Sequence, residues 1–459
     1  MTSPTDPNPA AGTAAPSQDC ASEEALYRRV ALRVVPLLFA AYVAAYLNRV
    51  NVGFARLEMV SDLKFSDTVY GLGSGMFFIG YLLLEVPSNI LLHRIGARVW
   101  IARIMITWSL LSAATMLARS PAQFYLARFA LGAAEAGFFP GMILYLTYWF
   151  PAKGRARVMA TLVTAIAASG FLGGPLSGWI LRDMDGVRGL AGWKWLFIVE
   201  ALPSLLLGFA ILAWLPDSIR GARWLEAEQK DFLEKAIHEE GASKAPLPLR
   251  ALFVDPRVWG LSLIYFLIMV GLAGLSFWMP QIIRNAGVRG MMGVGLLSAV
   301  PYVVAAAATV ALGRHSDRTG ERFWHLVLCV GVATAGFVLI AVSGSNAAAA
   351  LAGLSLAASG IIGSLPLFWT YPAAFLGGVA AAAGIALINS VGNMGGFACP
   401  YIVGALNDAT HSQVPGLAFI AASLAAAAVL VAVLLRKGRT HGGVDPAVGS
   451  PGVGQRDAS

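Results

Sequence analysis

The stretch His93-Arg94-Ile95-Gly96-Ala97-Arg98-Val99-Trp100 returns later in the chain as Asp317-Arg318-Thr319-Gly320-Glu321-Arg322-Phe323-Trp324. Arg, Gly, Arg and Trp keep the same relative places in both copies, and each copy sits between long apolar segments. A second anchor repeats at nearly the same offset: Pro175 in Gly-Gly-Pro-Leu-Ser-Gly and Pro400 in Ala-Cys-Pro-Tyr-Ile-Val-Gly. Two independent anchors read as an internal duplication.

The 459 residues are 57% hydrophobic and only 13% charged, too few charges to cover a soluble domain of this size. Apolar windows of about 20 residues, enough to cross a hydrocarbon core roughly 30 Å thick, fit twelve times. The first six run approximately 34–54, 69–91, 99–118, 123–147, 158–181 and 195–215; the second six run approximately 258–282, 292–312, 324–343, 347–370, 379–404 and 415–435. The expected fold is an all-α membrane protein of twelve transmembrane helices in two pseudo-symmetric six-helix bundles, 28–215 and 258–436. Segment 216–257 reads as a cytoplasmic linker, in which Trp224, Leu225, Phe232, Leu233 and Ile237 have the spacing of a short amphipathic helix. Residues 1–27, rich in Pro, Ala, Ser and Thr, and 437–459, rich in Gly and Pro, read as disordered cytoplasmic tails.

Basic residues gather at one side of the spans: Arg28, Arg29 and Arg33; Arg94 and Arg98; Lys153, Arg155 and Arg157; Arg314, Arg318 and Arg322; Arg436, Lys437 and Arg439. This bias predicts cytoplasmic termini. It also accounts for the net charge of +8, so no nucleic-acid partner is called for. Cys20, Cys329 and Cys399 are too scattered for a disulfide framework or a metal site. The six histidines lie in loops or at helix ends without ligand spacing, and no nucleophile and base stand together, so neither an enzyme nor a cofactor or metal is expected.

A repeat made of spanning helices implies a transporter of two like halves, with its substrate site between them near the bilayer midplane. An ionisable side chain in mid-membrane costs about 2.5–3.5 kcal/mol on insertion scales and calls for a reason. Four such residues stand out, all in the first half: Arg49, Glu85, Arg128 and Glu135. Tyr42, Tyr46, Arg49 and Gly53 form one stripe of the first segment, as the wall of a polar cavity would. Arg128, Gly132, Glu135 and Phe139 share that spacing in the fourth, with acid and base on one face roughly 10 Å apart by helical rise. The planar fork of Arg49 suits a carboxylate, and Glu135, partly dehydrated, suits a proton carrier. The structural alternative is that Arg49 and Glu135 neutralise each other between helices. Arg128 fits either a substrate contact or a structural charge, and Glu85 reads as pairing with a loop Arg or interfacial water. The second half offers Phe277, Trp278 and Gln281 around Pro280, Trp369 near Pro366, and Asn389 with Asn393, either as ligand-orienting groups or as helix contacts. Gly170, Gly174 and Gly178, and Gly392 and Gly396, recur at four-residue intervals and permit close helix approach.

Across Tyr46-Leu-Asn-Arg-Val-Asn-Val-Gly-Phe-Ala55, Leu84-Glu-Val-Pro-Ser-Asn89 and Arg128-Phe-Ala-Leu-Gly-Ala-Ala-Glu-Ala-Gly-Phe-Phe-Pro-Gly141, the chain resembles the anion:cation symporter family of the major facilitator superfamily. The similarity runs from about Arg28 to Arg436 and includes the bacterial permeases for tartrate, phthalate and 4-hydroxyphenylacetate. The resemblance implies the major facilitator fold in a bacterial inner membrane, substrate contacts at Arg49, Tyr81 and Asn393, and protonation at Glu135. The loop Gly313 to Arg322 is similar to the superfamily's cytoplasmic gating motif, which implies latch roles for Asp317, Arg318 and Arg322, with Arg94 and Arg98 in the first copy, where His93 replaces Asp. Related symporters often carry Asp as a second proton site just before the first-segment Arg, where this chain has Asn48. The expected function is import of a small organic anion by proton symport and alternating access, in a lipid-embedded monomer; exchange, uniport and proton-coupled export are the alternatives.

Overall fold

The computed structural model describes residues 18–242, 254–375 and 378–435. The outer parts of both tails (1–17 and 436–459) and linker residues 243–253 lie outside the described residues. Among the described residues the chain is helical and carries no strand. Its first half comprises α1 (Gln18–Asp62), α2 (Asp67–Ile95), α3 (Ala97–Ala114), α4 (Pro121–Glu135), α5 (Phe138–Thr147), α6 (Ala152–Val163), α7 (Ala165–Asp183) and α8 (Gly192–Trp214). The linker holds α9 (Ala227–Ala242); the second half comprises α10 (Pro256–Asn285), α11 (Met291–Thr319), α12 (Phe323–Val342), α13 (Ala347–Phe375), α14 (Gly378–Thr410) and α15 (Val414–Leu430). Eleven stretches of described helix are long and apolar enough to cross a membrane.

α1 starts inside the segment read as a tail, because Ala21 to Arg29 is rich in Ala, Glu, Leu and Arg, with neither Gly nor Pro. The other starts follow capping rules: Ser66 caps α2, Ser120 followed by Pro121 opens α4, and Asp255 followed by Pro256 opens α10. The duplicated strip proves to be a helix junction. Gly96 (φ +99°) separates α2 from α3, and Gly320 (φ +66°) ends α11 before α12, so both copies need glycine at a positive φ. In the linker, Trp224 stacks on Trp149 at 6.0 Å and Leu233 is fully buried, which ties this segment to the first half.

Within the first half, α2 packs on α4 and α3 on α8, with α1 against α7 and α8. Within the second, α12 packs on α13 and α10 on α14 and α15. Among the described residues the halves meet chiefly at α2 with α14, α7 with α11, and α1 with α10. Glycines bring the first two pairs into backbone contact. A Cβ on Gly71 would meet the Pro400 carbonyl oxygen, one on Gly174 the Gly295 carbonyl oxygen, and one on Gly178 the Met291 carbonyl oxygen at 2.8 Å. The small-residue spacing in α7 is therefore interface packing between the halves.

Candidate functional site

Different faces of α1 present different chemistry. Toward the second half and α4, Arg49 forms an ion pair with Glu135 and is 19% exposed against 2% for the acid. Aromatic rings enclose the guanidinium: its carbon lies 5.1 Å from the ring centres of both Tyr46 and Phe77 and 5.8 Å from that of Tyr81, arrangements that stabilise a cation. Tyr42 extends this wall, stacked on Phe139 and edge-on to Tyr46, each at 5.3 Å. The two residues weighed as site or structural pair thus form a direct pair in this structure.

Glu135 is the last residue of α4. Gly137 at φ +85° breaks the helix before α5 begins at Phe138, an interruption tolerated in a membrane where protein or a cavity covers the freed backbone. Arg128, two turns earlier, is fully buried over the Phe77 ring at 5.3 Å, and none of its guanidinium nitrogens has a hydrogen-bond partner. A buried guanidinium without partners keeps its full capacity to attract an anion.

From the second half, Tyr265 comes within electrostatic reach of Tyr46, Arg49 and Glu85. It stacks on Phe368 and meets Trp369 edge-on, both at 5.0 Å, so Trp369 belongs to this aromatic wall while Tyr265 was not singled out from sequence. Glu85 differs from expectation: it accepts hydrogen bonds from Asn389 Nδ2 (3.4 Å) and Ser390 Oγ (3.1 Å) of α14, because α2 packs against α14 along its length. Asn389 is therefore engaged with Glu85, and Asn393 lies one turn further on, half-buried.

Trp278 and Gln281 lie elsewhere, in a seal at the face where α1 and α10 end. There Arg56 pairs with Asp67 and sits 4.8 Å from the Trp278 ring. Tyr70 donates to the Phe277 carbonyl (3.1 Å) and Arg284 to the Leu57 carbonyl (2.6 Å). Asn407 donates to Asp67 (3.1 Å), and Asp408 accepts the backbone N–H groups of Asp67 (3.0 Å) and Thr68 (2.7 Å) at the start of α2. A carboxylate there satisfies two donors the helix cannot bond itself and meets the positive end of its dipole. Gln281 donates along its own helix, to Asn285 (2.7 Å).

At the other face one gating side chain pairs with the linker and one within its own half. Arg98 meets Asp217 at 3.0 Å and Arg322 meets Asp317 at 2.7 Å, while Arg94 and Arg318 are exposed. Beside them, partial burial pushes Glu321 upward, but hydrogen bonds from the backbone N–H groups of Trp324 and His325 and from the His325 ring outweigh it and hold the carboxyl below its usual range.

On another face of α1, the two N–H groups of Asn48 are shared among the carbonyls of Ala44 (2.9 Å) and Glu200 (3.0 Å) and Ser204 Oγ (2.8 Å), and its carbonyl accepts from Ser112 (2.8 Å). It braces α1 against α3 and α8. Glu200, another ionisable residue inside a span and not singled out from the sequence, sits in this region of α8 and is 1% exposed.

The Major Facilitator Superfamily family model matches residues 38–400, most of the chain. The chain belongs to the Major Facilitator Superfamily. It is 45% identical over 423 residues to a putative tartrate transporter of Agrobacterium vitis, covering 92% of this chain and 97% of that one. It is 39% identical over 421 residues to a quinolone resistance transporter of Acinetobacter baumannii, covering 90% and 96% respectively. Its fold matches the crystal structure of a bacterial homolog to the human lysosomal transporter Spinster in an inward-facing and occupied conformation, with TM-score 0.68, 17% identity, and coverage of 89% of this chain and 97% of that one. As a superfamily member the protein is a secondary transporter of small organic solutes by alternating access, a carrier and not an enzyme, related to the bacterial tartrate and metabolite permeases.

Proposed function

We propose that this protein imports a small organic carboxylate together with protons, through alternating access of two six-helix bundles, 28–215 and 258–436, in a bacterial inner membrane with both termini cytoplasmic. α14, 33 residues long, supplies the twelfth span. The observation that carries the reading is the Arg49–Glu135 pair within its aromatic enclosure. A substrate carboxylate and the Glu135 carboxylate compete for one guanidinium. A proton on Glu135 removes the competitor's charge and frees the fork of Arg49 for the substrate; loss of the proton restores the internal pair and expels the anion. Tyr46, Tyr81, Trp369 and Asn393 line the same space, Arg128 adds positive potential behind it, and Asn389 joins it when α2 and α14 part from the Glu85 contact. Trp278 and Gln281 serve the seal. The sealed face is periplasmic on this reading, so the gating residues of the cytoplasmic face are unlatched and the state is inward-facing.

The relative named as a tartrate transporter supports a carboxylate cargo, whereas the relative named for quinolone resistance is the specific reason to test export. The experiment is uptake of labelled tartrate, galactonate, phthalate and 4-hydroxyphenylacetate into proteoliposomes, with and without an inward proton gradient. Gradient-driven accumulation of one carboxylate, abolished in Glu135→Gln while equilibrating exchange persists, is expected. Wild-type protein that equilibrates a substrate but never concentrates it would overturn the symport reading.

A further inference from the structure

Glu200 has no place in the cycle just described. Its Oε1 accepts a hydrogen bond from Ser177 Oγ of α7 (2.6 Å), and its Oε2 is buried without a partner. Asn51 of α1 faces it, itself 1% exposed, with neither its amide oxygen nor its amide nitrogen in a closed hydrogen bond. The surrounding side chains are neutral: Asn48 and Asn51 from α1, Ser112 from α3, Ser177 from α7 and Ser204 from α8 itself. Arg49 points to another face of α1 and is taken by Glu135, and Glu58 lies at the first turn of α8, accepting from the Trp193 N–H. No charged side chain acts on Glu200 among the described residues.

A carboxylate held this deeply without a cation is strongly disfavoured. Asn51 suits both forms: its carbonyl accepts from the acid, and its amide donates to the carboxylate. Ser177 supplies the link to motion. It lies between Gly174 and Gly178, whose backbones touch α11 of the other half, so parting of α7 from α11 changes what surrounds the Ser177–Glu200 bond.

We propose that Glu200 is a second proton-binding carboxyl of the transport cycle, set behind α1 and distinct from Glu135. The inference rests on the proton-coupled reading above. The side chain takes a proton from water in one state and returns it in the other, with Asn51 and Ser177 rearranging around it.

The test is infrared titration of the purified, membrane-reconstituted protein between acidic and alkaline buffer, alongside proton-to-substrate ratios from reversal potentials. In wild type, a carboxylic C=O band that disappears with rising pH and is absent from Glu200→Gln is expected, together with a loss of one proton per substrate in that variant. A Glu200 band that persists at every pH would make it a permanently neutral structural acid and overturn the proposal, as would an unchanged ratio. Accumulation driven by sodium at fixed pH and lost in Glu200→Gln would overturn it in favour of a cation site. If Glu200→Gln does not fold, Asn51→Leu removes the amide that serves the carboxylate form and is expected to move the band's midpoint upward; an unmoved midpoint counts against the idea. The titration needs no transport, so a failure of symport and a failure of this proposal are separately visible.

Discussion

Arg49 is held by one carboxylate and enclosed by the rings of Tyr46, Phe77 and Tyr81, an environment suited to a flat, weakly hydrated cation rather than to an ammonium point charge. Arg49→Lys keeps the charge but loses the fork and part of the stacking, about 1–2 kcal/mol. The expected result is a rise of about tenfold in substrate KM in proteoliposome uptake, with the protein still folded. For Asn48 the residue type suggests a titratable replacement and the geometry forbids a benign one. Asn48→Asp would aim a carboxyl at the Ala44 and Glu200 carbonyls, which now receive an N–H. The cost is about 1–3 kcal/mol per buried group left unsatisfied, to be read as a lower melting temperature in detergent and not as an extra transported proton. Intramembrane charge made Arg49 and Glu135 visible in the sequence. The same rule applied to Phe197-Ile-Val-Glu-Ala-Leu202 flags Glu200, and what no spacing could reveal is that Asn48 and Arg49, one peptide bond apart, meet different sets of helices.

At the scale of elements, glycines set how closely the two halves meet at the sealed face. Gly71 lies against Pro400 and Gly174 against Gly295, in both cases backbone to backbone. Gly174→Val must push α7 from α11 and is expected to open the seal. Faster labelling of a cysteine placed at Ser276, in an otherwise cysteine-free protein, by a membrane-impermeant thiol reagent applied at that face would register it. Gly137→Ala meets two obstacles, the positive φ at the break after Glu135 and the Ser88 hydroxyl beside it. The conformational term alone is about 1–2 kcal/mol, so a lower melting temperature is expected even in detergent. The spacing of the glycines was legible. Their partners were not, because a helix presents its small residues without naming the chain that will approach them. The break at Ala136–Gly137 was hidden for a similar reason: Gly in an apolar segment is compatible with an unbroken helix, and only the backbone geometry shows that it is not.

For the molecule as a whole, the duplicated strip led correctly to an all-helical, membrane-spanning chain, because the glycine each copy requires at a helix junction is a backbone demand that sequence records directly. The state of the transporter was not legible, since the same residues pair differently in each state. Here it is defined by contacts across the halves, chiefly Asp408 on the first turn of α2. Asp408→Ala removes a helix cap of about 1 kcal/mol, up to roughly 2, so the sealed population should fall about fivefold to thirtyfold relative to the opened one. Spin-label distances between Ser66 and Ser412, at the ends of α2 and α14, are the measurement; an unchanged distribution would show that the cap does not hold the seal.

The bracing of Asn48 to α3 and α8 also constrains how the machine can move. Hydrogen bonds to Glu200, Ser204 and Ser112 tie α1 at Asn48 to α8 and α3 of its own half, so on the proposed reading the arginine next to it is a fixed post, unable to travel with its cargo. On that reading release comes from what surrounds the post: the aromatic wall of the opposite half swings away, and the anion is left behind by its enclosure instead of being carried across.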